Sequence, residues 1–222
     1  MSRIIAILGA LVVVAFGAFY VLGNSSDTAP ADPLGAANAQ DTAADVDTSS
    51  IADMTAGNPD APVTVIEYAS FTCPHCAAFH TGPYKQLKTD YIDTGKINFV
   101  YREVYFDRYG LWASMIARCA GPDKFFGMAD LIYSGQSEWS RAGEPAAIID
   151  ELRKIGRLAG LDGDTLEACL QDGEKAKTLV AWYQENAEAD GIESTPSFVI
   201  NGKKYSNMAY DEMAKLIDEA AE

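Results

Sequence analysis

The chain has 222 residues, 48% of them hydrophobic, with 32 acidic against 17 basic side chains and a formal net charge of −15. That length allows one large domain with a self-sufficient apolar core, and a surface so negative excludes nucleic acid as a partner. The histidines are His75 and His80 and the cysteines Cys73, Cys76, Cys119 and Cys169. Ser-His-Asp hydrolases and multi-histidine metal sites are thereby removed, unless one of these two imidazoles serves them.

At the amino end, Ile4 to Leu22 form 19 uncharged, mostly apolar residues preceded by Arg3. A bilayer core about 30 Å thick takes roughly 20 such residues in a helix, so residues 1–23 read as a secretory signal or a retained membrane anchor. The small-x-small triplet Ala37-Asn38-Ala39 lies 15 residues past the apolar run. Signal cleavage falls closer than that, which favours the anchor. In either case Arg3 stays inside and the remainder is exported. Residues 24–57 contain no aromatic residue, Lys or Arg and read as a disordered acidic tether, with the folded part starting near Asn58.

Pro62 to Tyr68 is rich in β-branched residues and reads as a buried strand; a helical stretch to about Asp90 and a second strand, Ile97 to Tyr101, follow. Strand, helix, strand makes a βαβ unit with parallel pairing. From Tyr109 to Ala189 the signals are helical only. Pro145 opens one helix that Gly160 stops, Asp164-Thr-Leu-Glu167 fits a capping box, and Ala176 to Ala189 forms another helix ended by Gly191. Strand signals return at Pro196 to Ile200, where Asn201-Gly202 predicts a hairpin on a type I′ turn, and Tyr210 to Ala221 closes the chain as an amphipathic helix. The pattern βαβ…ββα describes an α/β domain over 58–108 and 190–222 with an all-helical insertion at 109–189.

The chemistry sits at Cys73-Pro74-His75-Cys76. A strand-to-helix junction puts the Cys73 sulfur at a helix N-terminus, where unpaired N–H groups and the positive end of the dipole favour a thiolate. Pro74 suits the first helical position, and Cys76, one turn in, is the shielded partner. Such a motif lowers a thiol pKa from about 8.5 to between roughly 3.5 and 7.5. His75 adds a donor or a positive charge near Cys73. Stabilising the thiolate stabilises the reduced form and makes the disulfide a stronger oxidant. The competing readings are three ligands of a zinc site (Cys73, Cys76 and His80) and a purely structural disulfide. Zinc lacks a fourth ligand, and this junction serves reactivity better than structure. His80, one turn past Cys76, reads as a surface helix residue.

Phe71-Thr-Cys-Pro-His-Cys76 resembles the active site of the DsbA-like thiol-disulfide oxidoreductases of bacterial envelopes, in the thioredoxin superfamily. The resemblance covers about Asn58 to Glu222. It implies a thioredoxin-like domain carrying a helical insertion, no cofactor beyond the chain's own disulfide, and a periplasmic location. It also implies exported client proteins with free cysteines, and reoxidation by a quinone-coupled membrane partner; the chain is expected to be a monomer. Glu67, six residues before Cys73, takes the place of the family's buried acid, which moves protons to and from the resolving thiol. A carboxyl in a strand of Val, Ile and Tyr is desolvated, and so suits that task. Thr195-Pro196 resembles the cis-proline loop facing the disulfide, whose free backbone groups pair with an extended substrate. Thr before that proline also occurs in isomerases of the family, so a reductase or isomerase stays open, as does a metal-binding envelope protein. Cys119 and Cys169 resemble the second, structural disulfide of some alphaproteobacterial relatives. Two buried free thiols and a second redox pair are the alternatives.

Overall fold

The computed structural model describes residues 46–222. The expected anchor at 1–23 and residues 24–45 of the expected tether lie outside the described residues. Among the described residues no helix is long and apolar enough to cross a membrane.

Five strands form one mixed sheet: β1 (Met54–Gly57), β2 (Val63–Ala69), β3 (Ile97–Glu103), β4 (Ser197–Ile200) and β5 (Lys203–Ser206), in the spatial order β1-β3-β2-β4-β5. The β2–β3 pair is parallel and every other pair antiparallel. The connection between the parallel strands carries α1 (Pro74–Thr81), α2 (Pro83–Leu87) and a π turn, Lys88–Ile92. The single helix expected here is broken at Gly82-Pro83, because the residue before a proline is pushed out of helical geometry; Gly82 has φ −125° and ψ −97°. The insertion is six helices: α3 (Arg108–Cys119), α4 (Pro122–Ser134), α5 (Gln136–Trp139), α6 (Pro145–Leu158), α7 (Gly163–Leu170) and α8 (Gly173–Ala189). The last helix is α9 (Tyr210–Ala220). This is the thioredoxin-like βαβ…ββα arrangement with its helical insertion.

Two local expectations change. The cap of α7 is Asp162, whose Oδ1 accepts from the Thr165 N–H at 2.9 Å, and not Asp164. Glu167 leaves the cap and pairs with Arg153 at 2.6 and 2.8 Å. At the start, Ile51 and Met54 are buried and β1 joins the sheet, so the fold begins before Asn58. The partners that hold this segment lie far along the chain. Arg102 grips the Asp53 carboxylate through Nε and Nη2 at 2.9 and 3.0 Å, and Arg118 Nη1 donates to the Ala52 carbonyl at 2.9 Å. With no cation or aromatic residue of its own, the segment shows none of this locally.

Sheet and insertion meet in an aromatic core. Phe71, Tyr101, Phe125 and Tyr133 lie in a chain of ring contacts 4.9–5.8 Å apart, and the Tyr101 and Tyr133 hydroxyls bond at 2.6 Å. Next to it, the carboxylate of Glu103 at the end of β3 is gripped from α3 by Arg118 Nε and Nη2, both at 2.6 Å, with Ser114 Oγ donating at 2.9 Å. Glu103 is 1% exposed, and charge lost from water at that depth is tolerated because both of its oxygens accept from these donors, one of them charged.

Candidate active site

β2 ends at Ala69, the chain turns through Ser70-Phe71-Thr72, and Cys73 caps α1 with extended backbone (φ −80°, ψ 119°), followed by Pro74 in the first turn. Both Cys73 and Cys76 are free thiols; Cys73 is half-buried and Cys76 fully buried. The turn is held from the insertion. The Gln136 side-chain amide, at the start of α5, donates from one nitrogen to the Phe71 and Cys73 carbonyls at 2.7 and 2.9 Å. Thr72 donates to Asp107 at 2.8 Å, and the other oxygen of Asp107 caps α3 by accepting from Tyr109 and Gly110. Neither Gln136 nor Asp107 stood out in the sequence. Asp107 ahead of a helix was a cap signal, whereas nothing local marks Gln136.

The two sulfurs are driven apart electrostatically. The Cys73 thiol is lowered to about 5, first by the Cys76 thiol donating to its anion, then by the Thr195 side chain and the backbone N–H groups of Cys76 and His75, against a cost from partial burial. Cys76 is driven far in the opposite direction by burial, by its donation to Cys73 and by the nearby Glu67 charge. His75 itself is exposed, and what reaches Cys73 is its backbone N–H. On the facing side, the Thr195-Pro196 peptide bond is cis. The Thr195 carbonyl oxygen lies 3.5 Å from Cys73 Sγ, and the buried Thr195 hydroxyl has no hydrogen-bond partner among the described residues.

Beneath Cys76, Glu67 is 0% exposed, in register between Tyr101 on β3 and Phe198 on β4. Its Oε2 is 2.9 Å from His80 Nε2, while Oε1 has no partner. The expectation for His80 is overturned: it is 2% exposed, in the core, not on the surface. A readable signal existed, because four positions after the buried Cys76 is the same helix face, and α1 buries Cys76, Phe79 and His80 together. A zinc site is not assembled either; among the described residues no group of three or more His, Cys, Asp or Glu is placed to hold a metal ion.

Cys119 and Cys169 form a disulfide 50 positions apart, tying the last residue of α3 to the end of α7. Both are partly exposed, not turned fully inward.

The Thioredoxin family model matches residues 49–219. The chain belongs to the thioredoxin family. Within it the chain is DsbA-like: it resembles the crystal structure of alpha-DsbA1 from Wolbachia pipientis with a TM-score of 0.71 and 27% identity, over 76% of this chain and 90% of that one. A protein-disulfide isomerase from Novosphingobium aromaticivorans is similar at TM-score 0.68 and 26% identity, covering 78% of this chain and 100% of that one. In sequence, a Rickettsia bellii protein named "Putative protein-disulfide oxidoreductase" is 36% identical over 171 residues, 77% of this chain and 65% of its own length. The chain thus spans just under two thirds of that relative.

Proposed function

We propose that the protein is a thiol-disulfide oxidoreductase whose Cys73–Cys76 disulfide is donated to exported proteins. A client thiolate attacks Cys73 Sγ; the Cys73–Cys76 bond breaks and its electron pair leaves on Cys76, which takes a proton. The client's second thiolate then attacks its own sulfur in the mixed disulfide, closing the client's bond and releasing Cys73 as a thiolate. Two electrons pass from client to protein. One proton ends on Cys76 and the other goes to solvent, because Cys73 stays ionised at neutral pH.

The observation that carries this reading is the opposed pair of thiols, Cys73 lowered to about 5 and Cys76 raised by burial. A stable Cys73 anion favours the reduced protein and so the oxidation of clients. Cys73 is the attacked and released sulfur, Cys76 its buried partner, and Glu67 the carrier of the Cys76 proton. His75 and Pro74 shape the helix start, and Thr195-Pro196 offers backbone to an extended client. The Cys119–Cys169 bond supports residence in an oxidising compartment, the periplasm, where a quinone-coupled membrane partner would return the electrons. The test is equilibration of the full chain with glutathione buffers. The expected potential lies nearer the about −120 mV of a strong oxidant than the about −270 mV of a thioredoxin. A value at the thioredoxin end would make the protein a reductase, and no exchange at all would leave metal binding.

A further inference from the structure

Two ionisable side chains share one apolar enclosure. Glu67 and His80 are 0% and 2% exposed, joined through Oε2 and Nε2 at 2.9 Å, with Oε1 unpaired. The imidazole is stacked on Tyr133 at 4.3 Å, tilted against Tyr84 at 4.7 Å, and meets the edges of Tyr101 and Phe79 at 5.6 Å each. A lone carboxylate at this depth, with one oxygen unsatisfied, is costly unless a proton is held close by.

The groups facing the pair are Cys76 from α1, Tyr84 from α2, Tyr101 from β3 and Tyr133 from α4, with the apolar Phe198 from β4. Burial and the Glu67 charge push all three tyrosines up, so they keep their protons at working pH. Among the described residues the proton that Cys76 gains and loses therefore has two local exchange partners, Cys73 above it and the Glu67–His80 pair in the core.

We propose that His80 is the proton partner of Glu67, the two together holding one proton in the disulfide form and passing it to Cys76 when that sulfur leaves. This rests on the exchange reading above and adds a positioning residue to it. When the Cys73–Cys76 bond breaks, the electron pair stays on Cys76 Sγ and a proton from the pair forms the S–H bond. The thiolate goes from −1 to neutral and the pair from neutral to −1, so the buried charge is the same before and after. Reoxidation runs the transfer backwards. His80 acts through Glu67: its hold on Oε2 leaves Oε1 as the oxygen that exchanges with Cys76.

The experiment follows reduction of the full-length disulfide form by dithiothreitol between pH 5 and 9, in wild type and His80→Gln. Glutamine keeps an Nε donor for Glu67 but cannot carry the extra proton. The expected result is a slowing of about a hundredfold, in the range of lost general acid–base assistance, with the pH profile altered. The Cys73 thiolate titration, followed by absorbance, should stay where it was. A rate and profile matching wild type would overturn the proposal and leave His80 as packing. Should His80→Gln fail to fold, imidazole nitrogen shifts of the wild type decide: His80 should differ between disulfide and dithiol forms at one pH, and identical shifts sink the idea. If the wild type does not react with dithiothreitol at all, the exchange reading itself fails; a reactive wild type with an unaffected variant removes only the role of His80.

Discussion

Two cysteine pairs occupy opposite situations in one chain. Cys73 and Cys76 stand three positions apart at a strand-to-helix junction, one half-buried at a helix cap and the other sealed beneath it. Cys119 and Cys169 stand 50 apart on two helices of the insertion, already bonded and surrounded by ordinary helix faces. Local closure costs little chain entropy, so the first pair contributes little to stability by bonding and its environment sets its redox behaviour. Closing the long loop restricts the unfolded chain, so the second pair is suited to stability. The first pair is asymmetric: one sulfur is given donors, the other is denied water.

The largest test of that contrast removes the long-range bond. Replacing Cys119 and Cys169 together by Ser should cost about 4 kcal/mol on the chain-entropy model for a 50-residue loop, read by denaturant unfolding. The glutathione equilibrium of Cys73–Cys76 should not move; a shift would mean that the two pairs are coupled.

A smaller effect is expected at Gln136, one of the two contacts through which the insertion reaches the Phe71–Cys73 turn. Gln136→Ala removes the donor of the Phe71 carbonyl and leaves the Cys73 carbonyl with the Ala77 N–H alone. The expected loss is about 2 kcal/mol, typical of a buried polar group left unsatisfied, together with a slower exchange rate. Full stability with normal exchange would assign the turn's rigidity to Thr72 and Asp107 alone.

A further effect is a pH dependence confined to the reduced form. Cys73 is lowered from an ordinary thiol value of about 9 to about 5 in the folded chain, so between these values the unfolded chain binds more protons. The Cys73 contribution to the stability of the dithiol form should therefore rise with pH from about 5 to about 9, be fully present above that, and be lost as pH falls through about 5. Unfolding of reduced Cys73→Ser across the same range should lack this rise; an unchanged slope would place the titration elsewhere.

Much of the site was readable because its signals are local. C-x-x-C with Pro inside, placed after a β-branched run, specifies strand, cap and helix within a few residues. Asn201-Gly202 specifies the hairpin: Asn201 has φ 45° and Gly202 φ 82°, the left-handed pair that a type I′ turn requires. Glu67 was legible too, as a carboxyl out of place in an apolar strand. His80 was not, because an imidazole on a helix has no fixed preference for inside or outside until a partner is known. Its partner is 13 positions away on β2. Gln136 lies 63 positions from the Cys73 carbonyl it holds.

The sequence by itself determined the order of elements, the turn chemistry and the place of the Cys73 and Cys76 sulfurs at the strand-to-helix junction, since each depends on backbone preference and spacing over a handful of residues. Only the tertiary structure decided that Met54–Gly57 is a strand, that His80 is buried against Glu67 and that Gln136 grips the redox turn. The reason is the same in all three cases. Burial and hydrogen-bond satisfaction are settled by groups brought together from distant parts of the chain, and a polar side chain's role follows from which of them it meets.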